Sequence, residues 1–177
     1  MRAPDDILEI FLQPGELYFG EGRTRIRTLL GSCVAITLWH PKRHIGGMSH
    51  YMLPNRPPHR KKGSALDGRY ADEVMEMFMR QLGRSRSKPA EYQVKIFGGS
   101  RMFEHVPKQG KARNHINISE LNAQVGRELV TRYGFKFTAE DLGGNGHRNV
   151  MLDLWSGDVW VKKALSGLSA SEQQGVP

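Results

Sequence analysis

The stretch whose reading decides the fold is TRIRTLLGSCVAITLWHPKRHIGGMSHYML, residues 24–53. Residues 24–30 alternate between polar and apolar, as a strand with one buried face does. Residues 33–39 are β-branched and aromatic, residues 45–53 form a second apolar stretch, and HPKRH between them is turn-like. The pattern predicts a β-hairpin. If the turn centres on Pro41-Lys42, facing residues have position numbers that add to 83, as 33 and 50 do. Cys33, the only cysteine, and His50 are then expected opposite one another on one side of the sheet, with Cβ atoms about 4.5–5.5 Å apart. A slip of one residue would put them on opposite faces.

Working outward, further strands are expected at 15–19, 92–97, 135–141, 148–155 and 158–165. Tyr70, Val74, Met77, Phe78 and Leu82 recur at helical spacing, predicting a helix over 65–82 closed by Gly83. A second helix is expected after Ser119 as N-cap, with Leu121, Val125, Leu129 and Val130 along one stripe and Gly134 at its end. Roughly seven strands and two long helices, with several strand-to-strand links, place the chain in the α+β class, the helices covering a mostly antiparallel sheet. Gly143-Gly144-Asn145-Gly146 falls between two strands and so does not fit a phosphate-binding turn.

With 177 residues, 38% of them hydrophobic, a single domain is expected over residues 1–165, followed by a small, polar and disordered tail at 166–177. Apolar runs such as VAITLW fall far short of the roughly 20 residues needed to cross a bilayer, so no membrane insertion is expected. One cysteine and an N-terminus without a leader pattern imply a reducing, cytosolic setting. The net charge of +8 is concentrated. Arg56, Arg60, Lys61 and Lys62 in one loop (56–62), with Arg84, Arg86 and Lys88 in another (84–88), supply seven of the eight charges. Charge confined to loops, without an RNA-binding aromatic motif or a helix-turn-helix pattern, argues against nucleic acid. The bland reading is two solvated loops, and the functional one is docking to an acidic partner. The remaining histidines lack HExxH or Cys-x-x-Cys spacing, so neither a metal site nor any other cofactor is expected.

A thiol facing an imidazole is the smallest unit of cysteine-based acyl transfer, because the imidazole stabilises the nucleophilic thiolate. Gly31 and Ser32 suit a tight backbone aiming amide N–H groups at an oxyanion. Gly46 and Gly47 on the partner strand would leave room for a substrate. The bland alternative is a small buried cysteine and a satisfied strand histidine. Spacing alone leaves both open.

Four blocks, TLLGSCVAITLWHP, IGGMSHYMLP, KIFGGSRMF and AEDLGGNGHR, resemble in order and spacing the CheD family of chemoreceptor glutamine deamidases, over residues 15–163. The resemblance implies an α/β/β layered sandwich. It also implies a cytoplasmic enzyme that hydrolyses side-chain amides of chemoreceptor glutamines to glutamate and ammonia through a thioester. The family's nucleophile falls on Cys33, its histidine on His50 and its threonine on Thr28, which would orient the imidazole. Chemoreceptor cytoplasmic helices are the implied substrate and a CheC-type phosphatase an implied partner. The alternative function is an adaptor that binds receptors or that phosphatase without essential catalysis. Two places depart from the family pattern: the glycine loop ends NGHR where an aromatic is commoner, and KQGKARNHINIS replaces a shorter segment.

Overall fold

The computed structural model describes residues 3–58, 65–101 and 117–164. The strands are β1 (Leu8–Phe11), β2 (Leu17–Glu21), β3 (Thr24–Leu30), β4 (Val34–His40), β5 (Ile45–Ser49), β6 (Gln93–Gly98), β7 (Lys136–Leu142), β8 (His147–Asp153) and β9 (Val159–Ala164). Helix α1 (Ala71–Arg84) lies between β5 and β6, and α2 (Ile118–Arg132) between β6 and β7. One sheet has four strands in the order β1-β3-β8-β9, the other five in the order β2-β5-β4-β6-β7. The fold is α+β with two mixed sheets. Among these nine strands β1-β3 and β6-β7 pair in parallel and the other pairings are antiparallel.

Strand β4 explains why its sequence reads as an unbroken apolar run: it is buried on both faces. Val34, Ile36 and Leu38 pack with Val74, Met75 and Phe78 of α1 and Leu129 and Val130 of α2. Ala35, from the opposite face, packs with Ile26, Leu30, Val150 and Leu152 of the four-stranded sheet. Residues 31–33 carry the chain from β3 in one sheet to β4 in the other, so GSC is the link between two sheets and not a turn within one.

The hairpin register differs from expectation. His40 pairs with Ile45 and Thr37 with Met48, so facing positions add to 85. The loop is four residues long, because both Arg43 N–H and His44 N–H bond to the His40 carbonyl and His44 takes a φ of 52°. Cys33 is therefore not directly opposite His50. The error is two residues, which is even, so the two still share a face and stand as diagonal neighbours.

Several boundaries also move. Helix α1 starts at Ala71 and not at 65, because the preceding segment is folded back, with Asp67 N–H donating to the buried Glu73 carboxylate (2.6 Å) and Gly68 pressed against the Gly15 carbonyl. It continues through Gly83 to Arg84. The N-cap of α2 is Asn117, whose side chain accepts from Ser119 N–H (3.2 Å). Ser119 instead donates its hydroxyl to the Ser100 carbonyl (3.0 Å). Gly134, with φ of 76°, ends α2 as expected, its N–H reaching Thr131 O and that of Phe135 reaching Val130 O. There are nine strands among the described residues, against a rough expectation of seven and eight segments named from the sequence. The strand outside the expectation altogether, β1, is an edge strand with mostly exposed residues and no clear alternation. The expected disordered tail (166–177), Arg60, Lys61 and Lys62, and the KQGKARNH part of the departing segment lie outside the described residues.

Candidate active site

Each candidate side chain is set by a different element. Thr28 is an inward residue of β3 in the four-stranded sheet, fully buried. His50 follows β5 in the other sheet, with its N–H on the Glu16 carbonyl (2.9 Å) and its own carbonyl accepting from Gly15 N–H (2.7 Å). Cys33 stands at the crossover and packs against the core between the sheets. The three converge on the space between the sheets from parts of the chain that share no local motif.

The hydrogen bonds at Thr28 determine the imidazole tautomer. Thr28 Oγ1 lies 2.9 Å from the Leu12 carbonyl and 2.7 Å from His50 Nδ1. A carbonyl can only accept, so the single hydroxyl proton goes to Leu12 O. Nδ1 must then carry a proton and donate it to Thr28 Oγ1. That leaves Nε2 unprotonated, and this nitrogen is buried with no hydrogen-bond partner among the described residues. An orphaned buried acceptor on a residue 2% exposed is costly and rare in native proteins, which makes Nε2 a candidate for use in a reaction.

Burial pushes the His50 imidazole down to about 4, against smaller upward pulls from the Leu12 backbone and the Glu16 carboxylate. Burial raises the Cys33 thiol, with a hydrogen bond from the Ser32 side chain opposing it. Both directions favour neutral partners at rest: a thiol and a free imidazole base, not a preformed thiolate–imidazolium pair.

The carbonyls around Cys33 are all engaged. Gly31 O accepts from Ser100 N–H (2.9 Å), Ser32 O from Asn122 Nδ2 (3.3 Å) and Cys33 O from Gly99 N–H (2.8 Å). The N–H groups of Ser32 and Cys33 donate to nothing among the described residues. Gly98 must be glycine here: its φ is 117°, and a Cβ would lie 2.2 Å from the Cys33 carbonyl oxygen. The glycine loop between β7 and β8 closes over the same place, through Gly143 N–H to Gly98 O (2.9 Å) and Arg101 N–H to Gly144 O (2.8 Å). Beneath it the buried Arg148 bonds Ser100 Oγ, Asp141 Oδ1 (3.1 Å) and Gly143 O (2.5 Å).

Two groups of expected residues fare differently. Gly31 and Ser32 lie beside the cysteine. Gly46 and Gly47 do not open toward it: they are buried in mid-sheet, and Cβ atoms there would meet Leu38 O at 2.1 Å and Tyr18 O at 2.2 Å. Their missing side chains accommodate flanking strands, not a ligand. Arg56, expected in a solvated or docking loop, is instead ion-paired to Glu73 and donates to Ala65 O (2.8 Å). Arg148, Asn122 and Ser100 escaped the residue-level reading. The blocks GGSR and GGNGHR contained two of them, but nothing in their spacing said that they meet at Cys33.

Residues 52–163 match the family described as "CheD chemotactic sensory transduction". The chain belongs to the CheD family. Its relatives extend the likeness over nearly the whole length. It is 49% identical over 162 residues, 92% of this chain and 93% of the other, to the "Probable chemoreceptor glutamine deamidase CheD" of Pseudomonas syringae pv. tomato. It is 45% identical over 159 residues, 90% and 89% respectively, to "Probable chemoreceptor glutamine deamidase CheD 3" of Dechloromonas aromatica. The family match begins just after His50, but a likeness spanning 92% of the chain necessarily takes in residues 28–50. A solved structure, the Bacillus licheniformis hypothetical protein YfiH, aligns with 72% of this chain and 51% of its own at 14% identity and a TM-score of 0.41, too remote to bear on this CheD chain.

Proposed function

We propose that this chain is a protein-glutamine deamidase that hydrolyses the side-chain amide of chemoreceptor glutamines to glutamate with release of ammonia. The observation that carries the chemistry is the hydrogen-bond chain Leu12 O, Thr28 Oγ1, His50 Nδ1, which leaves Nε2 as a free buried base on the face that Cys33 shares. The family and the names of its relatives supply the substrate.

As Cys33 Sγ attacks the glutamine Cδ, its proton passes to His50 Nε2. The carbonyl oxygen becomes an oxyanion facing the unengaged backbone N–H groups at Ser32 and Cys33. The imidazolium then gives its proton to the departing nitrogen, which leaves as ammonia, and a thioester remains. Nε2 next takes a proton from water, the hydroxide adds to the thioester, and the collapse of that adduct returns the proton to sulfur and frees glutamate. Thr28 holds Nδ1–H throughout, so the proton always moves at Nε2.

The reading includes one functional domain over residues 1–165, action in the cytoplasm, and a CheC-type phosphatase as a second partner. No helix among the described residues is long and apolar enough to cross a membrane. Mass spectrometry of a receptor cytoplasmic fragment incubated with this protein should show gains of about 1 Da at particular glutamines, as amide becomes acid, and none with Cys33→Ala. Equal gains with both proteins would overturn the assignment.

A further inference from the structure

Cys33 and His50 lie on neighbouring strands whose ladder stops just short of Cys33, one residue after His50. Val34 and Tyr51 form the last bonded pair, exchanging N–H···O contacts of 3.0 and 2.9 Å. In a regular antiparallel ladder the next bonded pair, two residues on, would be Ser32 with Leu53. Both ladder groups of Leu53 are taken elsewhere: its N–H goes to Arg69 O (3.0 Å) and its carbonyl accepts from Ala71 N–H (2.9 Å). Ser32 thus loses its strand partner at the point where the chain must present Cys33.

Asn122 of α2 occupies that break. It is fully buried, and its Nδ2 donates to Ser32 O (3.3 Å) and to Met52 O (2.8 Å), one carbonyl from each strand. Two carbonyl partners leave no choice about which amide atom points there, since only the nitrogen can donate. The residue is itself anchored, because Tyr51 Oη donates to the Asn122 backbone carbonyl (2.6 Å). Gly126, one turn later, leaves the space that lets Tyr51 do so: a Cβ there would lie 2.4 Å from the phenolic oxygen.

The consequence follows from peptide geometry. The Ser32 carbonyl and the Cys33 N–H belong to one planar trans unit and point in opposite directions. Holding the carbonyl toward α2 therefore turns the Cys33 N–H away from α2 and leaves it without a partner among the described residues. We propose that Asn122 is a positioning residue for the reaction: it fixes the Ser32–Cys33 peptide so that the nucleophile's own N–H serves as the oxyanion donor. Asn122 does not touch substrate. It replaces a ladder bond with a side-chain bond, so the strand end is rigid while its amide stays free. This rests on the deamidase reading above.

The test compares Asn122→Leu, which keeps the forked shape of the side chain at a larger volume and removes the donor, with the wild-type chain in two assays. Deamidation of a receptor fragment forms an oxyanion; alkylation of Cys33 by iodoacetamide displaces iodide and forms none. The expected result is a fall in kcat of roughly tenfold to a hundredfold with KM little changed, and an alkylation rate within about twofold of wild type. A parallel loss in both assays would show a general structural role and overturn the proposal, as would unchanged kcat. Should Asn122→Leu fail to unfold cooperatively, Asn122→Ser is measured in its place, with the same split expected and the same outcomes overturning it. Wild-type protein without deamidase activity would instead overturn the underlying function.

Discussion

Two buried histidines sit at opposite ends of the same hairpin, and they differ in one nitrogen. His40, at the turn end, is 4% exposed; its Nδ1 accepts from Lys42 N–H (3.3 Å), its Nε2 stands 3.9 Å from the Glu91 carboxylate, and its ring meets Tyr92 edge-on at 5.1 Å. His50, at the open end, is 2% exposed, and its Nδ1 is held while its Nε2 has no partner among the described residues. Burial of the two residues is the same; what separates them is that His50 Nε2 is a fully buried atom with no hydrogen-bond partner among the described residues, and neither nitrogen of His40 is. A buried, unpaired nitrogen calls for an explanation, and use of its lone pair in a reaction is one that His50 can supply.

The sharpest way to break this comparison is to remove each ring. His50→Ala should lower deamidation by about 10²–10⁴-fold, the usual worth of a general acid–base. His40→Ala should leave kcat per folded molecule within about twofold and lower stability by about 1–3 kcal/mol, the cost of removing a buried ring that accepts a hydrogen bond from Lys42 N–H. Thermal unfolding beside steady-state kinetics reads both. Equal kinetic losses would dissolve the distinction.

A smaller effect is expected at Thr28. Thr28→Val keeps the shape but removes the hydroxyl that dictates the tautomer, so kcat should fall roughly tenfold to a hundredfold with little change in KM. Thr28→Ser should recover most of it. A valine variant as active as wild type would remove the orienting role.

The mildest test is pH. His50 must be neutral to accept the thiol proton, and its burial holds it at about 4. The acid limb of kcat/KM should therefore rise through about pH 4 and be flat near neutrality; a limb at the ordinary histidine value would contradict the buried, unpaired Nε2. Stability carries the same sign. Between the ordinary 6.5 and about 4 the unfolded chain binds the His50 proton and the folded one does not, so acidification across that window destabilises the fold. The slope should be shallower in His50→Gln, and an unchanged slope would assign it to other groups.

The hairpin shows how far sequence reading reaches. Its two strands and its turn were legible in residues 33–53, because β-branched runs flanking a Pro-Lys-Arg-His segment have few other solutions. Its register was not: a two-residue and a four-residue loop both fit that segment, and only the paired N–H bonds on His40 O decide between them. The shared face of Cys33 and His50 survived because side chains alternate with a period of two. Gly46 and Gly47 were misread since a missing side chain looks the same whether it admits a ligand or a neighbouring strand. The edge strand β1 was invisible: exposed on most positions, it carries no burial pattern to read.

By itself the sequence determined the α+β class, the two helices, the lone cysteine and a histidine on the same face of its hairpin, and through four ordered blocks the family. All of these rest on local periodicity or on residue identity. Tertiary structure alone decided that Thr28 from one sheet reaches His50 from the other, that Asn122 spans two strand ends, and that Arg148 underpins the glycine loop. Those contacts join residues between 5 and 90 positions apart through hydrogen bonds of fixed length. No spacing rule encodes them; they exist only once two sheets and a helix have packed around the link that carries Cys33.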